Sequence, residues 1–181
     1  MTATVLKPNN KLPQFNTVTV LLVGAEGTGK HELAKGIISI DEPFSVQIRT
    51  ATCLPLSTED EESRPRIDFI CFIVDLTNRE SMRVVEESVK HVDVRYFLGR
   101  SCFVALKVKC PEKRGVGLEL VSQFCDHYGA PILYGALETD QEKITLAKQI
   151  LNMAKVSAGL VNNISPLLID STRRPYDTQL L

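Results

Sequence analysis

The sequence predicts an α/β fold: one domain built on a largely parallel five-stranded sheet with helices on both faces. Three observations carry that prediction. Strand-like apolar segments alternate with segments of helical period along most of the chain. One of them, Ile67 to Leu76, is a nearly unbroken apolar run of the kind buried on both faces. A glycine loop joins the first strand to the first helix.

The chain has 181 residues and is 44% apolar, enough for one sizeable core and little more. A formal net charge of −1, with charges mixed along the chain, shows no basic stripe for tracking nucleic acid. No charged-then-apolar leader opens the chain, and Phe69 to Val74, the longest apolar run, is too short to span a bilayer. The expectation is a soluble intracellular protein. Cys53, Cys71, Cys102, Cys110 and Cys125 form no C-x-x-C, so buried reduced thiols are expected rather than metal ligands.

Residues 1–16 contain Pro8, Asn9, Asn10 and Pro13 without periodicity and read as an extended lead-in on the surface. Val18, Val20, Leu21, Leu22 and Val23 form the first strand. After the glycine loop, Leu33, Ala34, Ile37 and Ile38 recur at helical spacing until Asp41 to Pro43 stops the helix. Phe44 to Thr52 alternates apolar and polar residues and predicts the second strand. Leu54 to Arg66, with two prolines and the acidic run Glu59 to Glu62, predicts a solvated loop before the central strand.

Thr77-x-x-Glu80 has the form of a capping box and predicts a helix running to Gly99, with Val85, Val89, Val92 and Tyr96 inward. Ser101 to Val108 reads as a strand, Leu118 to Tyr128 as a helix, and Pro131 to Tyr134 as the last strand. A second capping box, Thr139-x-x-Glu142, opens a final helix with Ile144, Ala147, Leu151 and Ala154 inward until Gly159. Beyond it, residues 160–181 form a tail carrying Ile164, Leu167, Leu168 and Ile169, for which the sheet has no remaining place.

Gly24, Gly29 and Lys30 stand at the spacing of a phosphate-binding loop, G-x-x-x-x-G-K, whose backbone N–H groups cradle a phosphate while the lysine neutralises it. The next position holds His31 where the motif needs a hydroxyl for Mg²⁺, a hard cation that prefers oxygen. Taken alone, the glycines equally serve the tight turn and close packing of any doubly wound sheet.

The order of elements, with DFICFIVDLTNRES over Asp68 to Ser81, resembles a Ras-type small GTPase domain. This resemblance implies a P-loop, small-GTPase-like domain over residues 17–159 that lacks the switch I and edge-strand region, because the first helix runs into the next strand across only a few residues. It also locates the departures. Thr50 to Cys53 stands where that family has Asp-x-x-Gly, Leu106-Lys107-Val108-Lys109-Cys110 where it has Asn-Lys-x-Asp, and Gly135-Ala136-Leu137 where it has Ser-Ala-Lys. Nucleotide hydrolysis needs Mg²⁺, ordered switches and a positioned water together, so these losses imply a pseudo-GTPase with a vestigial loop.

Lys11 to Gly24, Arg64 to Leu76, Glu86 to Gly99 and Ala130 to Glu138 are similar to the centromere protein M family. That resemblance implies a non-enzymatic, small-GTPase-like subunit of the inner kinetochore, within the constitutive centromere-associated network in the nucleus. It implies assembly with centromere proteins H, I and K, most directly with the helical-repeat protein I, a role in kinetochore assembly and chromosome segregation, and no cofactor, metal, membrane or direct nucleic-acid contact. The chain on its own is expected to be a monomer. Gly29 and Lys30 are more loop-like than that family requires, which leaves weak anion binding as a competing expectation.

The candidate partner-binding residues are Phe97, Leu98, Leu167 and Leu168. Leu98 lies about 200° around the predicted helix from its inward stripe. Each patch either covers the domain's own core or meets a partner. Two other functions compete. A divergent GTP-binding switch or GTPase would use Gly24, Gly29 and Lys30. A phospho-receiver would use Asp75, but Val23-Gly24 offers no acidic pair and Tyr134-Gly135 no lysine, so Asp75 reads as a strand-end turn residue.

Overall fold

In the computed structural model, residues 5–56 and 64–166 are described. The elements in chain order are β1 (Thr17–Val23), α1 (Lys30–Ile38), β2 (Ser45–Ala51), β3 (Phe69–Asp75), α2 (Arg79–Val89), β4 (Ser101–Leu106), α3 (Leu118–Tyr128), β5 (Ile132–Gly135) and α4 (Asp140–Ser157). Short 3₁₀ turns at Val94–Phe97 and Pro111–Lys113 precede β4 and α3.

The five strands form one parallel sheet in the order β2-β1-β3-β4-β5. Every residue of β3 is buried, as its unbroken apolar sequence predicts. Parallel strands need crossovers, and the helices divide between the two faces accordingly. Leu33 and Ile37 of α1, with Leu146, Ala147, Ile150, Leu151 and Ala154 of α4, pack on Val20, Leu22, Cys71, Ile73 and Val104. On the other face, Met82, Val85 and Val89 of α2 and Val121 and Cys125 of α3 pack on Leu21, Val23, Phe72, Val74 and Phe103. The chain therefore reverses direction beside β1, and Gly24 to Lys30 lies at that switch point. In open α/β sheets this is where ligands bind.

Two expectations are corrected around α2. Its N-cap is Asn78, whose side chain accepts from the Glu80 N–H at 3.0 Å, and no Thr77–Glu80 box forms. Thr77 is drawn backwards instead: its N–H and hydroxyl both donate to Asp75 Oδ1, at 2.9 and 2.6 Å. Nor does the helix reach Gly99. The lead-in competes for its backbone, since the Leu6 N–H donates to His91 O at 2.8 Å and the Asp93 N–H donates to Leu6 O at 2.9 Å. The ladder stops at Val89, and Asp93 starts the 3₁₀ turn by accepting from the Arg95 N–H. Val92 and Tyr96 are still buried, but through a bridge to Leu6 and the new turn.

In α1, Ile38 is 61% exposed rather than inward, because the helix ends there. The second capping box is present as expected, with Thr139 and Glu142 satisfying each other's backbone N–H. The inward face of α4 is rotated from that expected: Leu146 and Ile150 join Ala147, Leu151 and Ala154 in the interior, and Ile144 is only partly buried. Cys71 and Cys102 are buried, free and paired in register between β3 and β4. Burial and the neighbouring Cys71 thiol push the Cys102 thiol upward, and burial raises Cys125 to about 12, so both stay protonated at neutral pH. Among the described residues, no helix is long and apolar enough to cross a membrane.

The altered cap predicts a contrast. Asn78→Ala should cost about 1 kcal/mol in urea unfolding, whereas Glu80→Ala should cost less than about half of that. Equal losses would restore the Thr77–Glu80 box.

Candidate functional site

The loop after β1 is shaped by its glycines. Gly29, the N-cap of α1, has φ +80°, a left-handed conformation costly for any residue with a Cβ. A Cβ at Gly24 would come within 2.8 Å of the Ile73 carbonyl oxygen, so this glycine lets β1 run close to β3. Thr28 closes the turn by donating its hydroxyl to Ala25 O at 2.8 Å.

Lys30 is buried under the turn, only 7% exposed. Its ammonium donates to Gly24 O at 2.5 Å and to Ala25 O at 2.6 Å. Burial lowers its pKa, opposed by the charge of Glu26. Two of the three Nζ donors are therefore satisfied by the loop itself. Leu137 crowds the loop from the other side. A Cβ on Gly29 would meet Leu137 Cδ1 at 2.6 Å and Leu106 Cδ1 at 3.9 Å, which shows how closely both leucines approach the loop. His31 is exposed. Among the described residues, no group of three or more His, Cys, Asp or Glu side chains is placed to hold a metal.

The ends of β3 and β4 are tied by a polar pair that sequence reasoning missed. Lys107, at φ +60°, reaches Asp75 Oδ2 at 2.6 Å. Burial opposes ionisation of Asp75, but the Lys107 ammonium and the two Thr77 donors outweigh it and hold the carboxyl below its usual range. Asp75 is thus the turn residue expected and also the anchor of an ion pair. Lys109 pairs with Glu142 at 2.5 Å, a contact that raises the lysine pKa and lowers that of the carboxyl.

The partner-binding candidates divide. Phe97 is interior: it is 5% exposed, with its ring 6.2 Å from Phe72 and 4.7 Å from Tyr128 between centroids. This corrects its assignment to a surface patch, because the 3₁₀ turn aims it back under the sheet. Leu98 is half-buried and caps that turn, so the angular argument from a continuous helix does not apply to it. Leu167 and Leu168 lie outside the described residues.

The geometry defines a doubly wound parallel α/β domain whose switch-point loop holds its own lysine on two carbonyls and is flanked by leucine. A family model described as centromere protein M (CENP-M) matches residues 3–176 of the chain. Over 170 residues the chain is 35% identical to centromere protein M of Homo sapiens, covering 94% of this chain and 93% of the relative. It is 35% identical to that of Danio rerio, covering 92% and 90%, and 33% identical to that of Xenopus laevis, covering 92% of each. The chain belongs to the centromere protein M family, a family of centromere proteins.

Asp75→Asn should destabilise the protein by about 1–3 kcal/mol at pH 7. The ionised carboxylate is favoured in the fold, so its contribution is present above the unfolded value of about 3.9 and is lost as pH falls through the lower folded value. Urea unfolding at neutral pH and below about pH 4 should therefore show the gap between wild type and variant closing on the acid side. A gap independent of pH would exclude the ion pair as its source. Separately, Gly29→Ala should cost about 1–2 kcal/mol from backbone strain alone, plus a steric part that shrinks in a Leu137→Ala background.

Proposed function

We propose that this chain is a pseudo-GTPase: a non-enzymatic structural subunit of the inner kinetochore that keeps a small-GTPase-like fold as a scaffold. The domain would run over residues 17–159, with the lead-in and the tail as appendages. It assembles with centromere proteins I, H and K in the nucleus and serves kinetochore assembly and chromosome segregation. The observation that carries the non-enzymatic reading is Lys30, whose ammonium is engaged by Gly24 O and Ala25 O, beneath a loop crowded by Leu137. Only one N–H of that ammonium is left for a phosphate, and no hydroxyl follows the lysine to hold Mg²⁺.

The assembly surface in this reading combines Leu98 with the tail residues Leu167 and Leu168. It is supported by the position of their neighbours. Arg100, two residues after Leu98, and Ser165 and Pro166, just before Leu167, line one cavity of about 490 Å³.

Titration of the purified chain with a fluorescent guanine nucleotide in excess Mg²⁺ should give no saturable signal to high micromolar concentration. Tight binding that disappears in Lys30→Ala would overturn the scaffold reading in favour of a nucleotide switch. In reconstitution with centromere proteins H, I and K, replacing Leu98 and Leu167 by glutamate should abolish co-elution while the variant keeps its thermal unfolding transition. Unchanged co-elution would remove this surface from the reading.

A further inference from the structure

Among the described residues, the sheet ends at β2 in an open edge. The Ser45 N–H donates to Asn16 O at 2.9 Å and Ala51 O accepts from the Gly24 N–H at 3.2 Å, so residues 45, 47, 49 and 51 direct their backbone groups toward β1. By alternation, Val46, Ile48 and Thr50 direct their N–H and C=O groups outward. Among the described residues, no strand pairs with that side. Arg49 is the edge's one charged residue: SVQIRTA contains no proline, lysine or glycine, is seven residues long and is rich in β-branched side chains. By contrast, the opposite edge, β5, is only four residues long.

Two further features adjoin the same edge. Phe15, at 98% exposure, is the most exposed large apolar side chain described. It is held beside the start of β2 by the Gln47 Nε2 to Gln14 Oε1 bond at 2.9 Å and the Asn16 Nδ2 to Pro43 O bond at 2.9 Å, made by its two neighbours. Arg49 is exposed on the Gln47 face and has no ion pair among the described residues. On the other face, Val46 and Ile48 are only partly covered by the α1 and α4 layer.

We infer that β2 is a second docking edge, which takes an extended acidic segment of another protein as a sixth strand. Backbone groups of Val46, Ile48 and Thr50 supply the affinity-giving ladder, and alternate side chains of the guest supply selectivity. Residues of the guest on the α1 side are apolar and continue the Val46 and Ile48 surface. Those on the other side are acidic, opposite Arg49, with an apolar residue over Phe15. A second copy of this chain fits less well, because β2 has no acidic residue and self-pairing would leave both Arg49 side chains unmatched. This surface is separate from the Leu98 region and does not depend on it.

The test is an amide NMR titration of the full chain with a short synthetic peptide alternating glutamate with valine. A second peptide carries lysine in place of glutamate. The glutamate peptide should shift the amides of Val46, Ile48 and Thr50 and slow their hydrogen exchange, and the lysine peptide should bind about tenfold more weakly. Arg49→Glu, an exposed substitution, should reverse that preference. Ile48→Pro removes one outward N–H and should abolish the response. If that variant does not fold, the charge reversal at Arg49 decides alone. No protection of the three amides at millimolar glutamate peptide would overturn the proposal. So would protection of the same amides without peptide in a concentration-dependent dimer, which would make the guest a second copy.

Discussion

Phe69–Asp75 can be a strand only where both of its faces are kept from water, and the rest of the architecture follows from that requirement. A seven-residue segment with no exposed position cannot lie at the edge of a sheet or against a single helical layer. It needs a strand on each side, here β1 and β4, and helices above and below. Right-handed crossovers place α1 on one face and α2 and α3 on the other. The reversal between them creates the crevice occupied by the Gly24 to Lys30 loop. Burial of the central strand thus creates the crevice before any ligand is considered.

What stands in that crevice is polar chemistry turned inward. Lys30 and Thr28 both serve carbonyls of the turn they belong to, and Asp75 is engaged by Lys107 just past β4 and by Thr77 two residues further along its own chain. A group that has found partners within its own chain stabilises the fold, and a ligand gains from it only through donors left over or by competing with those partners. Lys30 and Thr28 thus brace the loop itself, and the Asp75–Lys107 pair fastens the ends of β3 and β4. The surroundings of Gly29 carry the change furthest, because Leu106 and Leu137 offer a phosphate or a base edge no hydrogen bond.

Elements with a strong local signal were legible in the sequence. The period of α3, the Thr139–Glu142 box and the apolar run of β3 each depend on a few adjacent residues; the first two match the structure, and the strand is only a little shorter at its ends than Ile67 to Leu76. The loop was equally legible, since its motif is contiguous. The misses came from partners distant in sequence. Nothing near Val89 announces that Leu6 will take the backbone groups of His91 and Asp93, so the helix was expected to run on to Gly99. Once that helix breaks, Phe97 turns inward onto Phe72 and Tyr128. The Asp75–Lys107 pair was invisible for the same reason, as it joins the ends of two strands across a helix. Thr77 failed more locally: two hydroxyl and amide donors found a carboxylate two residues back, closer than the helix they were expected to cap.

The Leu6 clasp has a mechanical side. Its two main-chain bonds, at 2.8 and 2.9 Å, fasten the amino-terminal lead-in to the junction between α2 and the 3₁₀ turn, the same junction that orients Tyr96 and Phe97. A load applied at the amino end is therefore delivered to the middle of the chain and into the aromatic cluster, rather than to β1, whose entry it would otherwise peel. Where a fusion or a crosslink is attached to such a protein decides which part of it is pulled. The amino end of this one is wired to its interior.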